Sequence, residues 1–256
     1  MRELWTRSVG GGALTVYETN ELYGEKGAFR ALRFADGAVQ GAVDLNDPAR
    51  IVLEYPRAIM HLMEENDPDY ESVFVIGHGV GTMGQALKDK RCKIAEIEEA
   101  VLDASRRFFG YALDNVVVGD GRAALAGESD EAYDYIVLDA FTDEGTPRHL
   151  TSLEFFRLCR RKLHPRGGIA LNLIGRGEQN ERIRSALTTL QQEFPYTRAF
   201  RLPSPGSADL QNFVLIGRSA PIRCQLRAMA GFVDVKLAPG RIVRDPSVEP
   251  FPPYAP

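Results

Sequence analysis

The stretch ESVFVIGHGVGTMGQAL, residues 71–87, gives the strongest indication of the fold. Its β-branched apolar run predicts a buried strand, and Gly77, Gly79 and Gly81 predict a sharp turn into a helix near residues 81–89. Glycines in such a turn let a ligand approach the backbone amides without meeting a Cβ atom. They can also serve only close packing of the helix on the strand, so the turn alone does not define a ligand site.

Strand-like and helix-like segments alternate from residue 72 onward. The strand candidates include SVFVIG, YDYIVLDAF and GIALNLIG, which are continuous apolar runs. Such runs indicate a mostly parallel sheet with helices on both faces, hence an α/β fold. The last two candidates, TRAFRLP and NFVLIGR, follow each other without a helix, which predicts an antiparallel hairpin at the sheet edge.

Short strand patterns with turn signals fill residues 12 to 45 and predict a small antiparallel sheet ahead of the α/β domain. We therefore expect an N-terminal β domain at residues 1–55, a nucleotide-binding catalytic domain at 56–218 and an extension at 219–256. The extension ends in DPSVEPFPPYAP, which we expect to lie extended on the surface or on a partner.

Composition narrows the function classes. Hydrophobic residues make up 44% and charged residues 26% of the 256 residues, which is typical of a soluble globular protein. The net charge of -4 disfavours nucleic acid as a partner. No apolar run is long enough to span a membrane, and the first residues lack a secretory signal, so the expected location is the cytoplasm. The three cysteines lack zinc-ligand spacing, and we expect no metal.

Two acidic positions follow the glycine turn. Glu96 ends the next strand about 20 residues beyond the first glycine, where a carboxylate can accept bonds from both ribose hydroxyls. Asp120 and Gly121 end another strand and can accept the adenine amino group and let the base lie flat. A solvated glutamate and an ordinary Asp-Gly turn are the alternatives. Because Thr82 breaks the dinucleotide fingerprint and no Walker lysine follows, a nucleoside without phosphate remains.

Asp139 closes a buried strand at the carboxyl edge of the predicted sheet, where open α/β folds keep their ligands. With Asp143 nearby, it can bind a cationic substrate and take a proton from it. A loop-capping role for Asp139 is the alternative. The scattered residues His61, His149 and His164 are expected to have surface or capping roles.

Five segments, VFVIGHGVGT, KIAEIEEAVLDASRRFF, VVVGDGRAAL, YDYIVLDAF and FRLCRRKLHPRGGIALNLI, together resemble the spermidine synthase family of polyamine aminopropyltransferases. The likeness covers about residues 13 to 218, and DGAVQ resembles the family's hairpin near the substrate. It implies a Rossmann-like class I methyltransferase fold and a homodimer. It also implies a small-molecule amine substrate and decarboxylated S-adenosylmethionine or S-adenosylmethionine as donor, leaving 5'-methylthioadenosine or S-adenosylhomocysteine.

The resemblance also implies a role for each motif. Asp139, with Asp143, would bind the attacking amine and act as its general base. The substrate pocket would be faced by Gln40, Tyr55 and Phe141. The residues implied in holding the sulfonium nucleoside are Gly77, His78, Gly79 and Gly81, then Glu96 and Ile97 at the ribose, and Asp120 and Gly121 at the adenine.

The chain departs from the family pattern at three places. In the family's GGGDG motif the acid that pairs with the aminopropyl amine is replaced by Val80, and the second glycine by His78. The family's Tyr-His-Glu reads Tyr55-Pro56-Arg57, so a basic residue is expected where the pocket has an acid, and it would repel a polyamine. The second aspartate of the family's Asp-x-x-Asp lies one residue further along, at Asp143.

Aminopropyl transfer to an amine is therefore the leading hypothesis, and methyl transfer from S-adenosylmethionine to a small molecule is its closest rival. An NAD-dependent oxidoreductase is a third possibility, because Gly79, Gly81 and Gly84 spell GxGxxG. A catalytically silent relative that serves as a binding module is the fourth.

Overall fold

The structure of the chain is a computed structural model, and it describes residues 1–10, 12–34, 39–142, 145–204 and 209–246. Its first part is a four-stranded antiparallel sheet in the order β1-β2-β3-β4. The strands are β1 (Arg2–Val9), β2 (Gly12–Leu22), β3 (Glu25–Arg33) and β4 (Val39–Asp44). The predicted N-terminal sheet is thus confirmed, with β1 as an additional strand. Asp36 and Gly37 of the predicted hairpin lie outside the described residues.

The second part is an eight-stranded sheet flanked by helices. In chain order its elements are α1 (Glu54–Asn66), β5 (Ser72–Ile76), α2 (Thr82–Ala86), β6 (Arg91–Glu96), α3 (Glu99–Phe108), β7 (Val116–Val118), α4 (Gly121–Ala126), β8 (Tyr133–Leu138), α5 (Leu153–Lys162), β9 (Leu163–Arg176), α6 (Glu181–Leu190), β10 (Tyr196–Arg201), β11 (Leu210–Arg218) and β12 (Val233–Asp234). The strand order is β12-β10-β11-β9-β8-β5-β6-β7.

The strands β9, β8, β5, β6 and β7 run parallel, while β11, β10 and β12 are antiparallel to their neighbours. The predicted mostly parallel sheet with an antiparallel hairpin, β10–β11, is therefore confirmed. The extension supplies β12, which pairs outside β10. The predicted helix after the glycine turn is confirmed but short, since α2 ends at Ala86.

Burial explains why the sequence adopts this sheet. All five residues of β5 are buried, and alternate side chains enter two different hydrophobic clusters. Phe74 packs with α5 and α6 residues on one face, and Val73 and Val75 pack with α1 on the other. A strand buried on both faces needs apolar residues at every position, which accounts for its unbroken run. Within the described ranges, no helix is long and apolar enough to cross a membrane.

The two sheets meet at the glycine turn. Val80, at the tip of the turn, is only 4% exposed and packs in a cluster with Leu14, Val16 and Leu32 of the N-terminal sheet. Gly41 of β4 faces it so closely that an added Cβ would lie 2.7 Å from a Val80 methyl carbon. The N-terminal sheet therefore lies directly over the turn that follows β5.

The part of the extension that the structure describes, residues 219–246, follows the outside of the domain. After β12 it runs along α6 and α5, where the backbone N–H groups of Gly240 and Val243 donate to the Thr188 and Thr189 hydroxyls over 2.8 and 2.9 Å. The Val243 carbonyl then accepts the Leu153 N–H at the start of α5 over 2.8 Å. This route brings its end beside the carboxyl edge of the sheet.

Candidate active site

A cleft of about 650 Å³ opens at the carboxyl ends of β5, β6, β8 and β9, under the N-terminal sheet. This is the edge at which open α/β sheets bind ligands. It brings together eleven of the thirteen residues that the sequence singles out, namely Gln40, Tyr55, Gly77, His78, Gly79, Glu96, Ile97, Asp120, Gly121, Asp139 and Phe141. Glu96 and Asp139 thus open into one and the same cleft.

The remaining two predicted residues stand apart. Gly81 does not line the cleft; it precedes α2 with φ 91°, and an added Cβ would lie 2.3 Å from the Tyr111 ring. This glycine is required by its left-handed backbone and by the ring packed on it, and its expected contact with the nucleoside stays a prediction. Asp143 lies outside the described residues.

Close approach of two backbone segments shapes the turn after β5. Gly77 has φ 101°, and an added Cβ would lie 2.0 Å from the Asp139 carbonyl oxygen. Gly79 has φ 55°, another left-handed conformation that favours glycine. The turn and the end of β8 are therefore in direct contact, and this contact holds the glycine-rich backbone beside Asp139.

Glu96 is buried at the end of β6, which rules out the alternative of a solvated surface glutamate. Its Oε2 accepts the His78 N–H and its Oε1 accepts the Glu98 N–H, each over 2.9 Å. Burial raises the pKa of this carboxyl, and the two backbone N–H groups act in the opposite direction. A carboxylate has about four lone-pair positions, so both oxygens can still accept a hydroxyl.

His78 contributes its backbone to the cleft and its ring to packing. The ring lies edge-on to Tyr111, with the centroids 4.5 Å apart, and its Nε2 donates to the Ser105 hydroxyl over 2.7 Å. That hydroxyl donates in turn to the Leu102 carbonyl, so the proton sits on Nε2 of the ring. Burial lowers the pKa of His78 to about 4, so the ring is neutral at physiological pH.

Asp120 ends the loop before α4 and makes two contacts. Its Oδ1 accepts the Ala123 N–H over 2.7 Å and so caps α4, while its Oδ2 accepts from His149 Nε2 over 3.0 Å. His149 also lines the cleft, in addition to the surface or capping role expected for it. Gly121 packs under Ile76, where an added Cβ would lie 2.3 Å from a side-chain carbon, so close packing requires the glycine.

Asp139 lines the cleft and is held by two side-chain donors among the residues that the structure describes. The Tyr55 hydroxyl donates to Oδ2 over 2.8 Å, and the Asn172 amide donates to Oδ1 over 2.9 Å. Burial raises the pKa of this carboxyl from 3.8 to about 6, against the lowering effect of both hydrogen bonds. Asp139 is therefore a stronger base than an exposed aspartate and still ionised at neutral pH.

Asn172 and its neighbour Asn212 are site residues that sequence reasoning missed. Asn172, on β9, is 1% exposed, and its Oδ1 accepts from the Asn212 amide over 2.9 Å. An ionised carboxylate only accepts, so Asn172 must direct its NH2 group at Asp139 and its oxygen at Asn212. A single asparagine inside the apolar run GIALNLIG was the available signal, because a buried amide needs partners.

The cleft is acidic. Besides Glu96, Asp120 and Asp139, its wall includes Glu54 and Glu98, and none of the described lining residues is Lys or Arg. A site of this charge favours cationic groups on its ligands.

Arg57 does not face this cleft, which corrects the expectation of a basic residue in the substrate pocket. Its side chain is exposed, donates to the Leu53 carbonyl over 3.3 Å and lies 3.6 Å from the Glu54 carboxylate. The cleft-lining side chain next to Tyr55 is Glu54. The acidic side chain that the motif Tyr55-Pro56-Arg57 lacks is thus supplied by Glu54, one residue before Tyr55.

The mostly parallel sheet with a reversed terminal hairpin, a glycine turn after β5 and a buried acid at the end of β6 define the class I methyltransferase fold. Residues 52–219 match the family model described as the spermine/spermidine synthase domain, which is more than half of the chain. The chain belongs to the spermine/spermidine synthase family.

Curated relatives carry two kinds of name. A probable polyamine aminopropyl transferase of Bifidobacterium longum is 31% identical over 55% of this chain and 35% of its own length. A putrescine N-methyltransferase 2 of Nicotiana tabacum is 32% identical over 52% of this chain and 39% of its own. A polyamine aminopropyltransferase of Chromobacterium violaceum is 30% identical over 58% and 59%. The chain thus matches only part of the length of each relative.

Solved structures agree on the fold. A probable spermidine synthase from Corynebacterium glutamicum superposes with a TM-score of 0.70 at 19% identity, covering 85% of this chain and 80% of that one. The spermidine synthase from Thermotoga maritima gives 0.63 at 19% identity, covering 86% and 73%. At this identity the likeness concerns the fold alone.

Proposed function

We propose that this chain transfers an alkyl group from a sulfonium nucleoside of the S-adenosylmethionine type to a cationic amine, with Asp139 as the general base. The observation that carries the proposal is the Asp139 carboxylate, fixed by Tyr55 and Asn172 in the same cleft as the buried Glu96. In its specific form the group is aminopropyl, the donor is decarboxylated S-adenosylmethionine and the acceptor is a polyamine-type amine. The relatives named as aminopropyl transferases support that form.

The residues present fit such a donor. A volume of about 650 Å³ is within the range of small-molecule pockets and leaves room for a second substrate. Glu96 keeps acceptor positions for two ribose hydroxyls, and Asp120 and Gly121 lie where the adenine would rest, beside Ile97. The acidic wall offers no cation for a donor carboxylate among its described residues, and this favours the decarboxylated donor.

The donor supplies a carbon bonded to positively charged sulfur, so the carbon–nitrogen bond forms as the carbon–sulfur bond breaks and sulfur keeps the electron pair. The protein therefore needs to orient the amine and remove its proton. Asp139 accepts the ammonium proton, and its pKa of about 6 brings it nearer to that of an amine than an exposed aspartate would be. Glu54 and Gln40 line the cleft and can bind the rest of the amine.

The test incubates the purified chain with putrescine and either decarboxylated S-adenosylmethionine or S-adenosylmethionine, and identifies the product by mass spectrometry. We expect addition of an aminopropyl group from the decarboxylated donor and loss of this product in Asp139→Asn. Calorimetry with 5'-methylthioadenosine gives a second readout that does not depend on turnover. Failure to bind any of these nucleosides would overturn the proposal.

Methyl transfer is the second candidate, and Val80 favours it. The family's motif has an acid for the aminopropyl amine at this place, whereas Val80 packs in an apolar cluster against the N-terminal sheet. Putrescine N-methyltransferases among the relatives are consistent with such a change. Calorimetry separates the candidates, because tight binding of S-adenosylmethionine alone would reject aminopropyl transfer.

A further inference from the structure

The C-terminal extension contacts residues that flank the part of the cleft lined by Asp120 and Gly121. The Asp245 N–H donates to Glu154 of α5 over 2.9 Å, and its carboxylate receives two hydrogen bonds from Arg122, of 2.9 Å to Oδ1 and 2.6 Å to Oδ2. Arg122 directly follows Gly121, which lines the cleft. The side chains of this pair are 24% and 28% exposed, so the ion pair is partly shielded from water.

Arg122 uses the same Nη1 to hold a second element. It donates to the His149 carbonyl over 3.0 Å, and the His149 ring in turn contacts the Asp120 carboxylate over 3.0 Å. Both His149 and Asp120 line the cleft. A continuous series of polar contacts therefore links Asp245 on the extension to the expected adenine position.

The two hydrogen bonds between Arg122 and Asp245 fix the orientation of the Arg122 guanidinium. A guanidinium bound to a carboxylate by two parallel bonds has a fixed plane, so its remaining donors have fixed directions. With Asp245 in place, Arg122 sets the position of the His149 backbone and hence the distance between the His149 ring and Asp120. Without it, these groups would have to be ordered when a ligand binds, which lowers affinity.

We propose that Arg122 and Asp245 are positioning residues for the nucleoside, and that the C-terminal extension is thereby part of the donor site. The inference rests on the proposed function, because it assumes that an adenosine lies beside Asp120. It extends that function to a segment beyond the family-model match at residues 52–219.

The chain offers a matched control for the test. Asp234, on β12 of the same extension, forms an ion pair with Arg198 of similar exposure, 36% and 28%, but does not line the cleft. Asp245→Asn and Asp234→Asn therefore make the same chemical change at two Asp–Arg pairs of one segment. Arg122→Lys keeps the charge and removes the paired geometry.

Calorimetry with 5'-methylthioadenosine and with putrescine measures the two ends of the cleft separately. We expect Asp245→Asn and Arg122→Lys to weaken methylthioadenosine binding about fivefold to tenfold, with putrescine binding unchanged. Asp234→Asn is expected to bind both as the wild-type chain does. Unchanged methylthioadenosine affinity in Asp245→Asn, or an equal loss in Asp234→Asn or for putrescine, would overturn the inference. A wild-type chain that binds no methylthioadenosine would overturn the proposed function itself.

Discussion

Replacing Asn172 by leucine is expected to raise the pKa of Asp139 and to shift the acidic limb of the pH–rate profile to higher pH. The Asn172 amide donates to Oδ1 of Asp139 over 2.9 Å, one of two side-chain hydrogen bonds to this carboxylate. Leucine has the same number and branching of side-chain heavy atoms as asparagine and is somewhat larger, so the substitution removes the donor without making room for water to replace it.

The size of the shift follows from the strength of that bond. A hydrogen bond to a charged group contributes about 1.5–3 kcal/mol. Because one pKa unit corresponds to about 1.36 kcal/mol, its loss raises the pKa by about one to two units. Starting from about 6, the carboxyl of the variant would be protonated over much of the neutral range.

The assay is the pH dependence of kcat/KM, which reports the free enzyme's essential base. Wild-type activity is expected to fall below about pH 6, and the variant's activity to fall at a higher pH while both reach similar rates in alkaline buffer. Asn115→Leu is the control, because Asn115 is half-buried and hydrogen-bonded to Cys92 and Tyr111, away from the cleft. An acidic limb that stays in place in Asn172→Leu refutes the assignment of Asp139 as base.

Three further outcomes are expected. Asp139→Asn lowers kcat by about 10²- to 10⁴-fold, the usual contribution of a general base, while calorimetry shows retained methylthioadenosine binding. Glu96→Gln is expected to weaken methylthioadenosine binding with little effect on putrescine, measured in the same titrations, because it removes one acceptor oxygen at the position proposed for the ribose; equal weakening of both would count against that role. Acidification from pH 6.5 to 4 destabilises the wild-type chain, because the unfolded His78 takes up a proton at pH 6.5 and the folded one only at about pH 4. Urea unfolding at several pH values should show a shallower pH slope for His78→Gln, and an identical slope would contradict this explanation.

The fold was largely predictable because strands buried in a sheet consist of recognisable runs of apolar residues. The apolar runs of β5 and β8 are typical of strands buried on both faces, and two successive strand patterns without a helix between them indicate a hairpin. The strand β1 escaped notice because most of its residues are exposed and carry no alternating pattern. The two-residue strand β12 is defined by its pairing with β10, and no local sequence pattern predicts this pairing.

The site was predictable where topology alone places a residue. Glu96 ends β6 and Asp139 directly follows β8, the two strands that flank β5 in the parallel part of the sheet, so both residues had to lie at its carboxyl edge. Side-chain direction was not predictable, because it depends on distant partners. Gly81 packs against Tyr111, and Arg57 is exposed and donates to the Leu53 carbonyl. The homodimer and the cytoplasmic location stay predictions.

The contact between Val80 and Gly41 limits how this protein can be redesigned. An aspartate introduced at position 80 would place a charge in an apolar cluster, where an unpaired charge is strongly unfavourable. A larger residue at position 41 would collide with the valine it faces. Introducing an acid at position 80 therefore requires coordinated changes in both sheets. A chimera that takes only the eight-stranded sheet from a homologue would keep an N-terminal sheet that does not pack against the new turn.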